Sequence, residues 1–210
     1  MFNDINIETG GIYSNSCLVK KGNSGDIYAD DGSYYVDYLE DPHGKFQDDT
    51  FDADHPLTML VPAPGCGDLS AGITQTKKTI KAGDTLEVWP GIYSGGIAMQ
   101  GKLSYIKMHP GLYCLDGDFS ANSGSITLTS TDMEEGITIY LRSGADFDIG
   151  GNAHVELRAA HAGFETAPAI PGMLIFMQED YTGFIRLRGD STSSYRGTVY
   201  GKSAEIDLGL

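Results

Sequence analysis

Trp89-Pro90-Gly91-Ile92-Tyr93-Ser94 returns twenty residues later as His109-Pro110-Gly111-Leu112-Tyr113-Cys114. Proline fixes φ and glycine accepts positive φ, so each Pro-Gly bends the chain. The Ile-Tyr or Leu-Tyr that follows is apolar and β-favouring and enters a strand. A period near twenty is what stacked-coil architectures show, because one coil is one unit of chain. The stretch therefore reads as two successive coils of a β-solenoid with equivalent corners stacked. The competing reading is two unrelated turns that look alike.

Outward from this stretch, the texture from residue 73 onward is uniform. Leu86-Glu87-Val88, Tyr105-Ile106, Ile126-Thr127-Leu128, Val155-Glu156-Leu157 and Ile185-Arg186-Leu187 are short runs, and most alternate apolar with polar. Gly, Asn, Ser or Asp separates nearly every pair. Period-two alternation with frequent breaks predicts an all-β protein with little helix. Hairpins of a sandwich would show two-residue Asn-Gly or Asp-Gly turns. Asp31-Gly32 and Asp116-Gly117 exist, but most breaks are longer. The expected fold is a right-handed parallel β-helix (β-solenoid), with coils of roughly constant circumference. A β-sandwich or jelly roll is the alternative. His161 to Pro171 reads as a loop leaving one coil, and residues 57–72 as an extended connector around Cys66.

The 210 residues suit a single β-rich domain, 1–210. Residues 26–56 stand apart as an acidic aromatic insertion, where Asp26, Asp30, Asp31, Asp37, Glu40, Asp41, Asp48, Asp49, Asp52 and Asp54 interleave with Tyr28, Tyr34, Tyr35, Tyr38, Phe46 and Phe51. It reads as a solvated surface loop, or as a cap over an open strand edge at the N-terminal end; the competing reading is a cation or partner site, since clustered carboxylates suit hard cations such as calcium, although the DxDxDG spacing of an EF-hand is absent. The balance of 14 basic to 29 acidic residues gives −15, which disfavours nucleic acid as a partner. No apolar run is long enough to span a membrane. The first residues lack a signal-peptide pattern, so any targeting segment is expected to lie outside these residues.

Chemistry needs convergent polar groups. Asp116 with Asp118, and Asp146 with Asp148, stand at i, i+2; on a strand each pair would share one face. Such carboxylates could serve a polysaccharide lyase or hydrolase, with Asp116 and Asp118 as its catalytic pair, or bind calcium at all four. The simpler reading is a solvated strand side or turn aspartates bonding local backbone. His43, His55, His109, His154 and His161 are scattered and form no metal-ligand pattern. Trp89 and the tyrosines could stack on sugars, although such residues ordinarily fill cores and corners. Cys17, Cys66 and Cys114 contain no CxxC, so no zinc site of the usual spacing is expected. A Cys17–Cys66 or Cys66–Cys114 bridge would suit an exported protein, with the pairing left open. Otherwise Cys114, in the place of Ser94, is a small coil residue.

The series Gly11-Ile-Tyr-Ser-Asn-Ser, Trp89-Pro-Gly-Ile-Tyr-Ser-Gly-Gly-Ile, His109-Pro-Gly-Leu-Tyr-Cys-Leu-Asp-Gly-Asp-Phe-Ser, Gly136-Ile-Thr-Ile-Tyr-Leu, Gly172-Met-Leu-Ile-Phe and Tyr195-Arg-Gly-Thr-Val-Tyr resembles the C-terminal exported region of TadG-like Flp (Tad) pilus-assembly proteins. The resemblance runs from about Gly10 to Leu208 and rests on glycine-rich β signals. It implies a non-enzymatic structural, assembly or adhesive component at the cell surface, anchored in the membrane by a helix that this sequence lacks. It implies envelope or pilus proteins, or a surface or glycan, as partners. It carries no catalytic residues and no cofactor. A carbohydrate-active β-helix enzyme or carbohydrate-binding module using the paired aspartates is the alternative.

Overall fold

The computed structural model describes residues 64–66, 76–129, 134–165 and 168–209, together with the backbone of seven short strands between Ile5 and Asp52. Those seven are β1 (Ile5–Ile7), β2 (Ile12–Ser14), β3 (Cys17–Lys21), β4 (Ile27–Ala29), β5 (Ser33–Tyr35), β6 (Tyr38–Glu40) and β7 (Thr50–Asp52). The chain continues with β8 (Lys78–Ile80), β9 (Thr85–Val88), β10 (Gly91–Tyr93), β11 (Ile97–Met99), β12 (Tyr105–Met108), β13 (Gly111–Leu115) and β14 (Phe119–Leu128). It ends with β15 (Ile137–Leu141), β16 (Phe147–Arg158), β17 (Met173–Met177), β18 (Phe184–Leu187), β19 (Ser194–Arg196), β20 (Thr198–Gly201) and β21 (Glu205–Gly209).

Among the described residues the protein is all-β with almost no helix, and its strand pairings are parallel. Two main sheets run the length of the ladder. One has the order β10-β13-β15-β17-β20-β2-β5-β7 and the other β6-β3-β21-β18-β16-β14-β11-β8. In the second, β14 and β16 are long enough to turn a corner, so their later halves carry a further row, β9-β12-β14-β16-β19. Successive strands recurring in this cycle are consistent with a β-solenoid.

The repeated side chains stack on one another as the sequence suggests, but the strands that carry them pair two residues out of the twenty-residue step, with Gly91 opposite Tyr113 and Tyr93 opposite Leu115. Trp89 stacks on His109 with ring centroids 3.4 Å apart, and Tyr93 on Tyr113 at 6.0 Å. Both tyrosine hydroxyls donate to the backbone at the preceding corner, Tyr93 to the Trp89 carbonyl (2.7 Å) and Tyr113 to those of His109 and Val88 (both 2.8 Å). Burial pushes the Tyr93 hydroxyl up to about 12, and the hydrogen bond to Trp89 only partly offsets it. Gly96, at φ +74°, sits so close under the next coil that a Cβ would lie 2.3 Å from the Asp118 carbonyl. Only glycine fits that conformation and that gap.

Two expectations need correction. The circumference is not constant: Thr85 lies opposite Tyr105, but Phe147 lies opposite Ile185, so later coils carry loops of added chain. The N-terminal strands do not begin the ladder. β2 pairs with β20 and β3 with β21, so the first strands of the chain stack beyond the last. Within residues 26–56, β5, β6 and β7 pair in the ladder, where β6 and β7 end its two sheets, and β4 pairs with β1 in a separate two-stranded sheet. The acidic side chains there, Cys17, His43 and His55 lie outside the described side chains, as does most of the 57–72 connector.

The interior holds Ile106, Ile126, Val155, Phe119, Phe147 and Tyr113, all fully buried. β13, β15 and β17 are buried on both faces, which is why their sequences lose alternation and read as apolar runs. Their outer side chains, Leu112, Cys114, Tyr140 and Phe176, form a second cluster with Tyr200, Ala169 and Cys66. Thr138 fastens the 168–172 loop over it, accepting from the Ile170 amide and donating to the Met173 carbonyl (both 2.9 Å). Cys66 is disulfide-bonded to Cys114, with Cα atoms 6.1 Å apart. Cys114 is therefore a bridging residue rather than a mere small one.

Candidate functional site

β13 ends at Leu115 and β14 begins at Phe119, so Asp116 and Asp118 lie in the turn around Gly117. Strand alternation does not govern them, so the two carboxylates do not share a strand face, contrary to expectation. Asp116 takes both oxygens to the Arg142 guanidinium (2.8 and 2.9 Å). Asp118 accepts from the Asp146 amide (3.1 Å), and Asp146 accepts from the Phe184 amide (2.9 Å). Each of these two carboxylates thus ties its coil to the backbone of the next. Burial pushes Asp146 above the ordinary carboxylate value; the Phe184 amide opposes this, and Asp118 and Asp148 reinforce it. Asp148 pairs with Arg186 at 2.6 Å. Among the described residues, no group of three or more His, Cys, Asp or Glu is placed to hold a metal ion.

Asp207, almost fully buried, receives Arg186 (3.2 Å) and Arg188 (3.0 Å). Asp207→Asn leaves both guanidinium groups facing a neutral amide. The expected loss in unfolding free energy is about 3 kcal/mol, the low end for a broken buried pair. The low end applies because the arginine side chains keep 29% and 30% exposure. Urea titration at neutral pH measures it; a loss below about 1 kcal/mol would mean that water replaces the carboxylate without strain.

The structure also forms a groove of about 370 Å³ on the row β9-β12-β14-β16-β19, lined by Lys102, Tyr105, Ser125, Asn152, His154 and Asp190 among others. Three of these come from one column. Tyr105 lies opposite Ser125, and Ser125 opposite His154. On β12, Ile106 and Met108 face inward, which turns Tyr105 and Lys107 outward. Lys102 and Leu103 form the rim, in a turn tied to both neighbouring coils: Ser104 donates to the Lys81 carbonyl (2.8 Å) and Ser123 to the Gly101 carbonyl (2.9 Å). Leu103 is 73% exposed with φ +61°, an uncommon conformation for a leucine.

His154 is held at the far wall. Its Nδ1 lies 3.2 Å from Asp190 and 3.1 Å from the Thr192 hydroxyl, and its Nε2 lies 3.3 Å from Glu156. Burial would raise Asp190, but the Thr192 amide and hydroxyl and His154 outweigh it and hold the carboxyl below its ordinary value. The arrangement offers an exposed ring, an amide, hydroxyls, an ammonium and a fixed carboxylate around one concave surface. The letters do not single out Tyr105 among the tyrosines that could stack on sugars, nor Asp190, and His154 stands isolated in them. The available signal was the coil step itself, which places Tyr105, Ser125 and His154 in line once coils of unequal length are aligned.

No protein-family model matches the chain, and no curated protein is significantly similar to it. Trp89, 58% exposed, is not a core filler. Its ring covers His109, which the Glu87 carboxylate (3.2 Å) and Thr129 hydroxyl (3.1 Å) fix from either side. Among the described residues, no helix is long and apolar enough to cross a membrane.

Proposed function

We propose that the protein is a right-handed parallel β-helix serving as a non-enzymatic, exported structural or adhesive component of the cell surface, of the pilus-associated kind that its glycine-rich repeats resemble. One observation carries the reading. The carboxylates best suited to catalysis are engaged in construction: Asp116 with Arg142, Asp118 and Asp146 with the backbone of the following coil, and Asp148 with Arg186. A carboxylate already satisfied by a guanidinium is poorly placed to donate or withdraw a proton. The Cys66–Cys114 bridge supports the exported part, since structural disulfides persist in oxidising compartments.

In this role the long ladder is a spacer and its outer faces are contact surfaces for envelope or pilus proteins. Surface labelling of intact producing cells, followed by mechanical shearing, tests it. The expected result is label on the protein and its release with surface fibres. Recovery of unlabelled protein in the cytosol with Cys66 and Cys114 as free thiols would overturn the reading. So would turnover of a polysaccharide that Asp116→Asn with Asp118→Asn abolishes.

A further inference from the structure

We propose that the groove between Tyr105 and Asp190 binds a neutral oligosaccharide, one sugar ring lying on the Tyr105 ring and the hydroxyls held by Asn152, Asp190 and Lys102. The inference goes beyond the surface role above and does not rest on it; a cytosolic protein with this groove would bind the same sugar.

The occupant's class follows from the walls. The strands beneath the groove, β12, β14 and β16, are each paired on both sides, so no peptide can join them as an added strand. Recognition must come from side chains. A polyanion is disfavoured by Asp190, by Glu156 beside His154 and by the net charge of −15. A purely apolar ligand would cover the Lys102 ammonium and the Asn152 amide without offering either a partner. A sugar fits both demands: its C–H face packs on an aromatic ring, and its hydroxyls both donate and accept. Tyr105 is 45% exposed and supplies that ring. Asp190 accepts from sugar hydroxyls, Lys102 donates to them, and Asn152 does both.

Length fits as well. Tyr105, Ser125 and His154 stand on three adjacent coils, and two inter-strand steps span about 10 Å, room for about two sugar rings along the ladder. The walls need no large movement to bind, because His154 and Asp190 are already fixed by Thr192 and the Lys102 turn by Ser104 and Ser123.

Titration calorimetry of the whole chain with cellohexaose, maltohexaose, mannohexaose and chitohexaose tests the proposal. At least one should bind with a dissociation constant below about 1 mM. Tyr105→Ala should weaken that binding about tenfold or more, and Tyr105→Phe should retain it. Trp89→Ala, outside the groove, should leave it unchanged. Tyr105 is half in solvent, so its removal should leave the circular dichroism spectrum intact; Lys102→Ala, on the exposed rim, gives a second measure and should also weaken binding. Absence of binding by all four sugars at about 10 mM would overturn the proposal. Binding indifferent to both Tyr105→Ala and Lys102→Ala, or tighter binding of oligogalacturonate than of any neutral sugar, would overturn it too.

Discussion

Reducing the Cys66–Cys114 bridge should lower the unfolding free energy by about 4 kcal/mol. The bridge closes a loop with a sequence separation of 48, and on the chain-entropy account a cross-link of that span removes that much freedom from the unfolded chain. Cys114 belongs to the outer cluster with Leu112, Tyr140 and Phe176, so the bond also holds Cys66 against a buried apolar surface. Urea unfolding with and without reductant measures the effect. Cys66→Ala combined with Cys114→Ala should match the reduced protein and ignore reductant. In denaturant without reductant one of the three cysteines should take up a maleimide, and after reduction all three. A urea midpoint indifferent to reductant would show that the bridge fastens nothing.

Phe147→Ala should cost about 3 to 5 kcal/mol, the range for removing a fully buried aromatic ring. Phe147 has no exposed surface and stacks on Phe119 at 5.1 Å, at the corner where β16 follows β14. Each coil is stabilised mainly by its neighbours, so a void there weakens two interfaces at once. The melting temperature should fall by roughly 10 °C. Phe147→Leu, which keeps most of the volume, should cost about 1 kcal/mol. Equal losses for alanine and leucine would show that the site collapses and that the ring is not a packed element of the core.

The part of the fold that could be read in the letters is the part whose signal is local. Trp89/His109 and Tyr93/Tyr113 announce a coil because one corner's chemistry is repeated at the next, and both pairs stack. All-β character followed from alternation for the same reason. What escaped was long-range or irregular. Nothing near Ile12 signals that it lies opposite Val199. The loops that enlarge later coils hide the line joining Tyr105, Ser125 and His154. Asp116 and Asp118 misled because a spacing of two carries meaning only inside a strand, and Gly117 places them in a turn. Their partners, Arg142 and the Asp146 amide, lie a full coil away, where no short motif could reveal them.

The interleaving of β21 between β18 and β3, and of β2 between β20 and β5, sets a timetable for assembly. During synthesis β2 and β3 emerge long before the strands they will rest on. They must wait, unpaired with β20 and β21, until the residues through Gly209 have been made. Templating can run forward from β8, coil by coil, but β2 and β3 join last. Contacts of such sequence separation slow folding, so the slowest kinetic phase should belong to the docking of β2 and β3 onto β20 and β21.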